Sequence, residues 1–414
     1  MRITYLTPVG VIGGAERVLL AGLLGVRDAM PEASLDVILL ADGPLRPAIE
    51  RLGVRVTLVP LPSGLAKLGD SRVDAGLGRR GRARAFVGLG WSTFSSAPAV
   101  AGFLGRLGAA LRRGAPDLIH THGAKAHVFA ALTRPQRTPL LWHLHDFPGQ
   151  RPIMARLLRC LAGRAAGAVA VSEAVRRDAE ATLPGLPITS ALNPTDTTHF
   201  VPASRDGSGL DRLAGLPPAR PGIVRVGLVA TYAHWKGQDV FLDALAQLDD
   251  AGASTRGYLV GGPIYRTTGS QFTERQLRDR AAALSLTNRI GFIPFQDDPV
   301  DIYRMLDVVV HASTRPEPFG LTIAEAMACG RAVVVAAAGG AVELFTPGHD
   351  GVGHSPGDAQ DLARVLASLI GDPTRRNQLG VNARQGAVVR HPPGRYGREL
   401  AAIYARHAAL TPAP

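Results

Sequence analysis

The sequence predicts an α/β protein of two doubly wound, Rossmann-like domains, and three observations predict it. At 414 residues the chain exceeds one ordinary core. In both halves, fully apolar runs of strand length alternate with segments of helical period, the mark of parallel sheets covered on both faces. Between the halves, Val201 to Gly222 is rich in Pro and Gly with weak periodicity and reads as a linker. The expected divisions are therefore an N-terminal domain over 1–200, a linker over 201–222, a second domain over 223–390 and a C-terminal helix over 391–414. Ligands of such sheets bind at the carboxyl ends of the strands, so a cleft between the domains is the expected site.

The elements follow in order. "RITYLTP" is the first strand and "GGAERVLLAGLL" the helix after it, then "LDVILLAD", a helix and "VRVTLVPL". Next come "DLIHTHG", "PLLWHLHDF", a helix at "MARLLRCLAGRA", "GAVAVSE", a further helix and "PITSALNP". The second half repeats the scheme with "IVRVGLVAT", "GYLVGG", "RIGFIPF", "DVVVHAS" and "RAVVVAAAGG". The stretch from about Pro62 to Ala115 is less regular. It holds a basic cluster, Arg79, Arg80, Arg82 and Arg84, followed by the uncharged run Ala85 to Gly105. That run has the length of a membrane span, but Pro98, its glycines and "STFSS" favour a surface-seeking or acceptor-binding region, or a buried helix pair.

Composition limits the function classes. A hydrophobic content of 46% with 19% charged residues describes a soluble globular chain. "MRITYLTPVG" has no leader architecture, and Cys160 and Cys329 lack metal spacing, so a reducing cytoplasmic setting is expected. The net charge of +12 is concentrated in the first half. This points to an anionic surface, acceptor or ligand there, including the inner face of a membrane, or else to a solvated basic face.

Nucleotide motifs are selective. None of the three lysines, Lys67, Lys125 and Lys236, follows a glycine, so a P-loop is excluded. "PVGVIGG" matches the dinucleotide fingerprint at Gly10 and Gly13 only, with Pro8 in the first glycine position and Asp42 closing the second strand. Gly13 and Gly14 at a helix N-terminus permit close approach of an anion to free amides, or simply make a tight turn. His120, His122, His127, His143 and His145 fall in "HTHGAKAH" and "HLHD". Each His-X-His puts two rings on one face of a strand. No third-ligand spacing and no Asp-X-Asp accompanies them, so no metal or cofactor is expected. A hydrogen-bonding group is expected at "HLHDF", with His120 and His143 as satisfied core residues.

"RPEPFGLTIAEAMACG", Arg315 to Gly330, carries the sharpest signal. Pro316 and Pro318 restrict the backbone about Glu317, Gly320 allows a ligand to approach, and a helix begins near Leu321. A single ligand can span the spacing, with a sugar at Glu317, a diphosphate at the helix start and a ribose diol at Glu325.

This stretch resembles the E-X7-E motif of the family 4 retaining glycosyltransferases, which have the two-domain GT-B fold. The likeness runs nearly the length of the chain through "GGAER", "WHLHDF", "VSEAVRRD", "NPTDTTHF", "WKGQDVFLDAL" and "GGAVELF". It implies that Glu317 hydrogen-bonds the donor sugar and that Phe319, Gly320, Leu321 and Thr322 bind sugar hydroxyls and diphosphate through their backbone. Glu325 would hold the ribose, Lys236 would neutralise the diphosphate, Gly13 and Gly14 would lie against the phosphates, His145 near the sugar, and the base near Ile293. The family's usual Arg five residues before the Lys is Thr231 here, and His234, Arg266 or a first-domain basic residue is left to substitute. The implied reaction is retaining, metal-independent transfer from a UDP- or GDP-linked sugar to a glycan or lipid-linked acceptor, with no nucleic acid involved. The C-terminal helix would return to the first domain. A sugar phosphorylase or sugar-nucleotide epimerase, an oxidoreductase and a non-catalytic sugar-nucleotide binder are the other readings.

Overall fold

The structure is a computed structural model that describes residues 1–62, 97–204, 206–250, 252, 254–263 and 270–409. The arginine cluster 79–84, most of the uncharged run 85–105, and Arg266 lie outside the described residues. Two compact units are present, Met1–Leu192 with Pro393–Pro414, and Asn193–Pro392.

In the first unit, seven strands form one parallel sheet: β1 Arg2–Thr7, β2 Ser34–Leu39, β3 Arg55–Leu58, β4 Leu118–His122, β5 Leu140–Leu144, β6 Gly167–Ala170 and β7 Ile188–Ser190. Their order is β3-β2-β1-β4-β5-β6-β7. The helices are α1 Gly14–Ala29, α2 Leu45–Arg51, α3 Ala97–Gly114, α4 Ala124–Thr133, α5 Pro152–Leu161 and α6 Glu173–Thr182. β4, β5 and β6 are buried along their whole length, as apolar strands covered on both faces must be. The order reverses between β1 and β4, which opens a crevice at their carboxyl ends.

In the second unit, α7 Ser208–Leu213 leads into β8 Val224–Val229, α8 Gln238–Asp250, β9 Thr255–Val260, α9 Glu274–Ala283 and β10 Ile290–Ile293. Then follow α10 Val300–Met305, β11 Val308–His311, α11 Leu321–Ala328, β12 Ala332–Ala336, β13 Val352–His354, α12 Ala359–Ile370 and α13 Pro373–Arg390. The parallel sheet runs β10-β9-β8-β11-β12-β13, with its reversal between β8 and β11. β13, three residues of mixed polarity, gives no strand signal in the sequence.

The last helix, α14 Pro393–Ala409, belongs to the first unit and lies on α1. Tyr396, Leu400, Ile403 and Tyr404, at helical spacing, are its buried stripe. Gly25 and Gly397 let the two backbones touch: a Cβ on Gly397 would sit 2.0 Å from the Gly25 carbonyl oxygen.

The stretch 201–222 lies inside the second unit and packs rather than dangles. Asp211 on α7 is only 1% exposed. It accepts from Tyr258 Oη at 2.6 Å, Arg256 at 2.6 Å, Arg225 at 3.2 Å and the Ala219 amide at 3.1 Å. Burial pushes its carboxyl up, but these donors outweigh burial and hold it below its ordinary 3.8. The stability this contributes is present above 3.8 and is lost as pH falls through the folded value. Asp211→Asn is expected to cost about 3 kcal/mol, because it strands two arginines. Denaturant titration of the second unit checks this, with the deficit shrinking at acid pH.

Candidate functional site

The second unit gathers its chemistry at the switch between β8 and β11. The loop after β8 carries Lys236, and Gly237 follows it at φ +73°, where a Cβ would come 2.0 Å from the Ala312 carbonyl oxygen. The Thr314 amide donates to the Trp235 carbonyl at 2.8 Å, stitching this loop to the one after β11. Glu317 is thereby fixed, 7% exposed, with its backbone bridged to Gly339. Gly339 has φ +70°, and a Cβ there would lie 2.5 Å from the Glu317 carbonyl oxygen. The glycine of "GGAVELF" is thus required by close backbone packing.

Three donors converge on one oxygen. Glu317 Oε2 accepts from Lys236 Nζ at 2.6 Å, Ser313 Oγ at 3.0 Å and His311 Nε2 at 3.1 Å. Burial alone would raise the carboxyl, but the Lys236 charge and the His311 bond outweigh it and hold Glu317 well below the usual carboxylate range. Glu317 is therefore held as the anion near neutral pH and is ill suited to act as a general acid there. Its Oε1 has no partner among the described residues and is available to accept from a ligand hydroxyl. His311 and Ser313 were not singled out from sequence; the signal was their place in "VVVHAST", two residues apart at the strand end.

α11 begins immediately beyond. Gly320 caps it at φ +106°, and the helix leaves the Leu321 and Thr322 amides unused by its own ladder. Both residues are half-buried, whereas Phe319 is buried and meets His391 edge-on at 5.7 Å. Glu325, one turn into α11, is 5% exposed and accepts from Tyr303 Oη at 2.8 Å. Ile293, at the end of β10, is fully buried, and the exposed aromatic beside it is Phe295. At the family's Arg position, Thr231 uses its carbonyl to accept from Gln238, while exposed His234 packs against Phe272 at 4.0 Å.

In the first unit, the β1–α1 loop differs from the sequence expectation in one respect. Glu16, three residues into α1, accepts from the Gly13 amide at 3.0 Å. One of the amides expected to face an anion is thus occupied by the chain's own carboxyl, which burial raises above its ordinary value. Gly10 is explained by packing, since a Cβ there would fall 2.3 Å from the Asp42 carbonyl oxygen. His145 follows β5, half-buried, its Nε2 2.9 Å from His122 Nδ1. Burial pushes it down to about 4, so the ring is neutral near pH 7. Register brings His120, His122 and His143 together on β4 and β5, with one ring nitrogen of each within 4.8 Å of the others.

The sequence matches the profiles of two families. Residues 224–386 match "Glycosyl transferases group 1", and residues 44–199 match "Glycosyltransferase Family 4". A D-inositol 3-phosphate glycosyltransferase of Mycolicibacterium vanbaalenii is 36% identical over 231 residues, 51% of this chain and 48% of that protein. The lipopolysaccharide core biosynthesis mannosyltransferase LpsB of Rhizobium meliloti is 31% identical over 226 residues, 53% of this chain and 61% of that one. The chain spans about half the length of the curated relatives it matches. Among solved structures, Anabaena Alr3699/HepE in complex with UDP superposes with a TM-score of 0.77 at 26% identity, over 98% of this chain and 100% of that one. The same protein has also been solved with UDP-glucose.

Proposed function

This chain belongs to glycosyltransferase family 4 and has its GT-B fold, and from that premise we propose that it moves a sugar from a nucleotide diphosphate donor to a hydroxyl acceptor with retention of configuration. The observation that carries the reading is Glu317, whose Oε2 is tied by three donors while Oε1 stays open beside Lys236 and the start of α11. A buried carboxylate held ionised by its donors suits the hydroxyls of a sugar, and Lys236 with the α11 amides suits the diphosphate. Glu325 takes the ribose. The acceptor hydroxyl attacks on the face the diphosphate leaves, and a phosphate oxygen receives its proton. The chain supplies position and charge stabilisation. Alr3699/HepE, solved with UDP and UDP-glucose, supports a sugar nucleotide as donor; LpsB supports a glycan or lipid-linked acceptor, whereas the name of the Mycolicibacterium relative points to inositol 3-phosphate.

The test is incubation with UDP- and GDP-sugars, with and without candidate acceptors. Nucleotide release that requires acceptor is expected; release with phosphate or water alone would replace transfer by phosphorolysis or epimerisation. Lys236 takes the part a cation would play, so turnover should be unchanged when Mg²⁺ and Mn²⁺ are withheld. An absolute requirement for either ion overturns that part.

No helix among the described residues is long and apolar enough to cross a membrane. The peripheral contact we propose rests on Arg79, Arg80, Arg82 and Arg84, each contributing about 1 kcal/mol near an anionic surface. Sedimentation with anionic vesicles should be lost on replacing all four by Gln; a chain that stays in the supernatant at low salt refutes the contact.

A further inference from the structure

The first unit holds a histidine cluster behind His145 to which the reading above assigns no role. β4 and β5 are parallel neighbours, and their register sets His122 against His143, with His120 one pleat back on the same face. All three side chains are buried, at 4%, 0% and 0% exposure. Their ring centroids are 4.9 Å apart for His120 and His122, 4.7 Å for His122 and His143, and 5.1 Å for His120 and His143. Three imidazoles on a tetrahedral ion, with metal–nitrogen bonds of about 2.0–2.1 Å, place their ring centres roughly 5 Å apart.

The hydrogen bonding is divided within each ring. One nitrogen is held from outside: His120 Nδ1 by Tyr404 Oη at 2.7 Å, His122 Nδ1 by His145 Nε2 at 2.9 Å, and His143 Nε2 by Tyr396 Oη at 3.4 Å. Tyr404 is held in turn by Tyr5 Oη at 3.1 Å. The second nitrogen of each, His120 Nε2, His122 Nε2 and His143 Nδ1, is buried without a partner among the described residues. A core of satisfied histidines does not leave three orphaned acceptors or donors in one place. Ligand histidines do show this division, with one nitrogen to the ion and the other fixed by a second group.

We propose that His120, His122 and His143 form a buried site for one divalent transition-metal ion, with Zn²⁺ the best match to three imidazoles. Imidazole nitrogens select Zn²⁺, Co²⁺, Ni²⁺ or Cu²⁺ over the oxygen-seeking Mg²⁺ and Ca²⁺. Imidazole binds such an ion only as the neutral ring, so occupancy should fall in acid. His120 and His143 lie within 6° of parallel, so sharing an ion requires one ring to turn about χ2, a soft torsion. In turning, His143 gives up its long contact with Tyr396 and its stacking on His145 at 4.3 Å. The ion would knit β4, β5 and, through the two tyrosines, α14 into one core.

The test uses the full chain, free of any histidine tag, incubated with excess Zn²⁺ or Co²⁺ and then desalted. About one ion per chain by elemental analysis is expected, together with the visible absorption of tetrahedral Co²⁺ and a rise in Tm with Zn²⁺. His122→Gln and His143→Gln, which preserve bulk, should each lose the ion and the absorption. Retention of no metal by the wild-type chain overturns the site, as does undiminished retention in the double variant. The wild-type measurement decides even where a variant fails to fold.

Discussion

Glu317→Ala is expected to lower turnover about 10²–10³-fold, the usual size for removing one preorganised electrostatic contact to a reacting group. Binding of the bare nucleotide diphosphate should be nearly preserved, because the free Oε1 is assigned to the sugar and not to the nucleotide. The variant also unpairs Lys236, whose side chain is only 20% exposed, and leaves Ser313 and His311 without their acceptor. A loss of about 3 kcal/mol in stability should accompany the kinetic effect. Glu317's own contribution to stability is present above its ordinary 4.5 and fades as pH falls through the folded value, so this loss should narrow in acid. Glu325→Ala should show the opposite division, weakening the nucleotide about 10–100-fold, as deletion of a charged hydrogen-bond partner does. Steady-state kinetics with calorimetric titration of the nucleotide separates the two. Equal damage to nucleotide affinity by both variants would refute the assignment of sugar to one carboxylate and ribose to the other.

Gly397→Val is expected to be strongly damaging to the first unit, although it lies outside the site. Any side chain at 397 meets backbone atoms of Gly25, which no rotamer can evade, so α1 and α14 must separate. Overpacking of this kind costs about 3 kcal/mol or more. For a unit of this size, that is a drop of roughly 6–12 °C in melting temperature. Scanning calorimetry should show the change in one transition, with the unfolding of the second unit unmoved. An unshifted profile would mean that the helices do not touch at this point.

Much of the fold was legible because parallel strands buried on both faces are written as uninterrupted apolar runs such as "AVVV" and "VVVH". Glu317 and Glu325 were legible for a related reason: charges in apolar, Pro-fixed surroundings are conspicuous. Lys236 stood out among so few lysines. What stayed hidden depends on distances between segments. The meeting of His120 and His122 with His143 is a matter of register between two strands, and no spacing along the chain encodes it. The three donors on Glu317 come from two separate segments, after β8 and at the end of β11, and only their stitching at Thr314 and Gly339 brings them onto one oxygen. Asp211 looked like one more charge in a Pro- and Gly-rich stretch because its partners, Arg225, Arg256 and Tyr258, come from the next two strands. The Glu16 contact was within reach, since a glutamate three residues after a helix-capping position commonly turns back on the cap.

The return of α14 to α1 orders events during synthesis. Residues 193–392 are a continuous block and can close as soon as they leave the ribosome, whereas the first unit is interrupted by them. The groove on α1 that exposes Gly22 and Gly25 therefore stays uncovered while some 200 further residues are made. At about 5–20 residues per second that interval is roughly 10–40 s. During it, the unit made first is the one still unfinished. A stop codon that removes only the last helix would leave a complete second unit joined to a first one with its seam open, a natural substrate for chaperones and proteases.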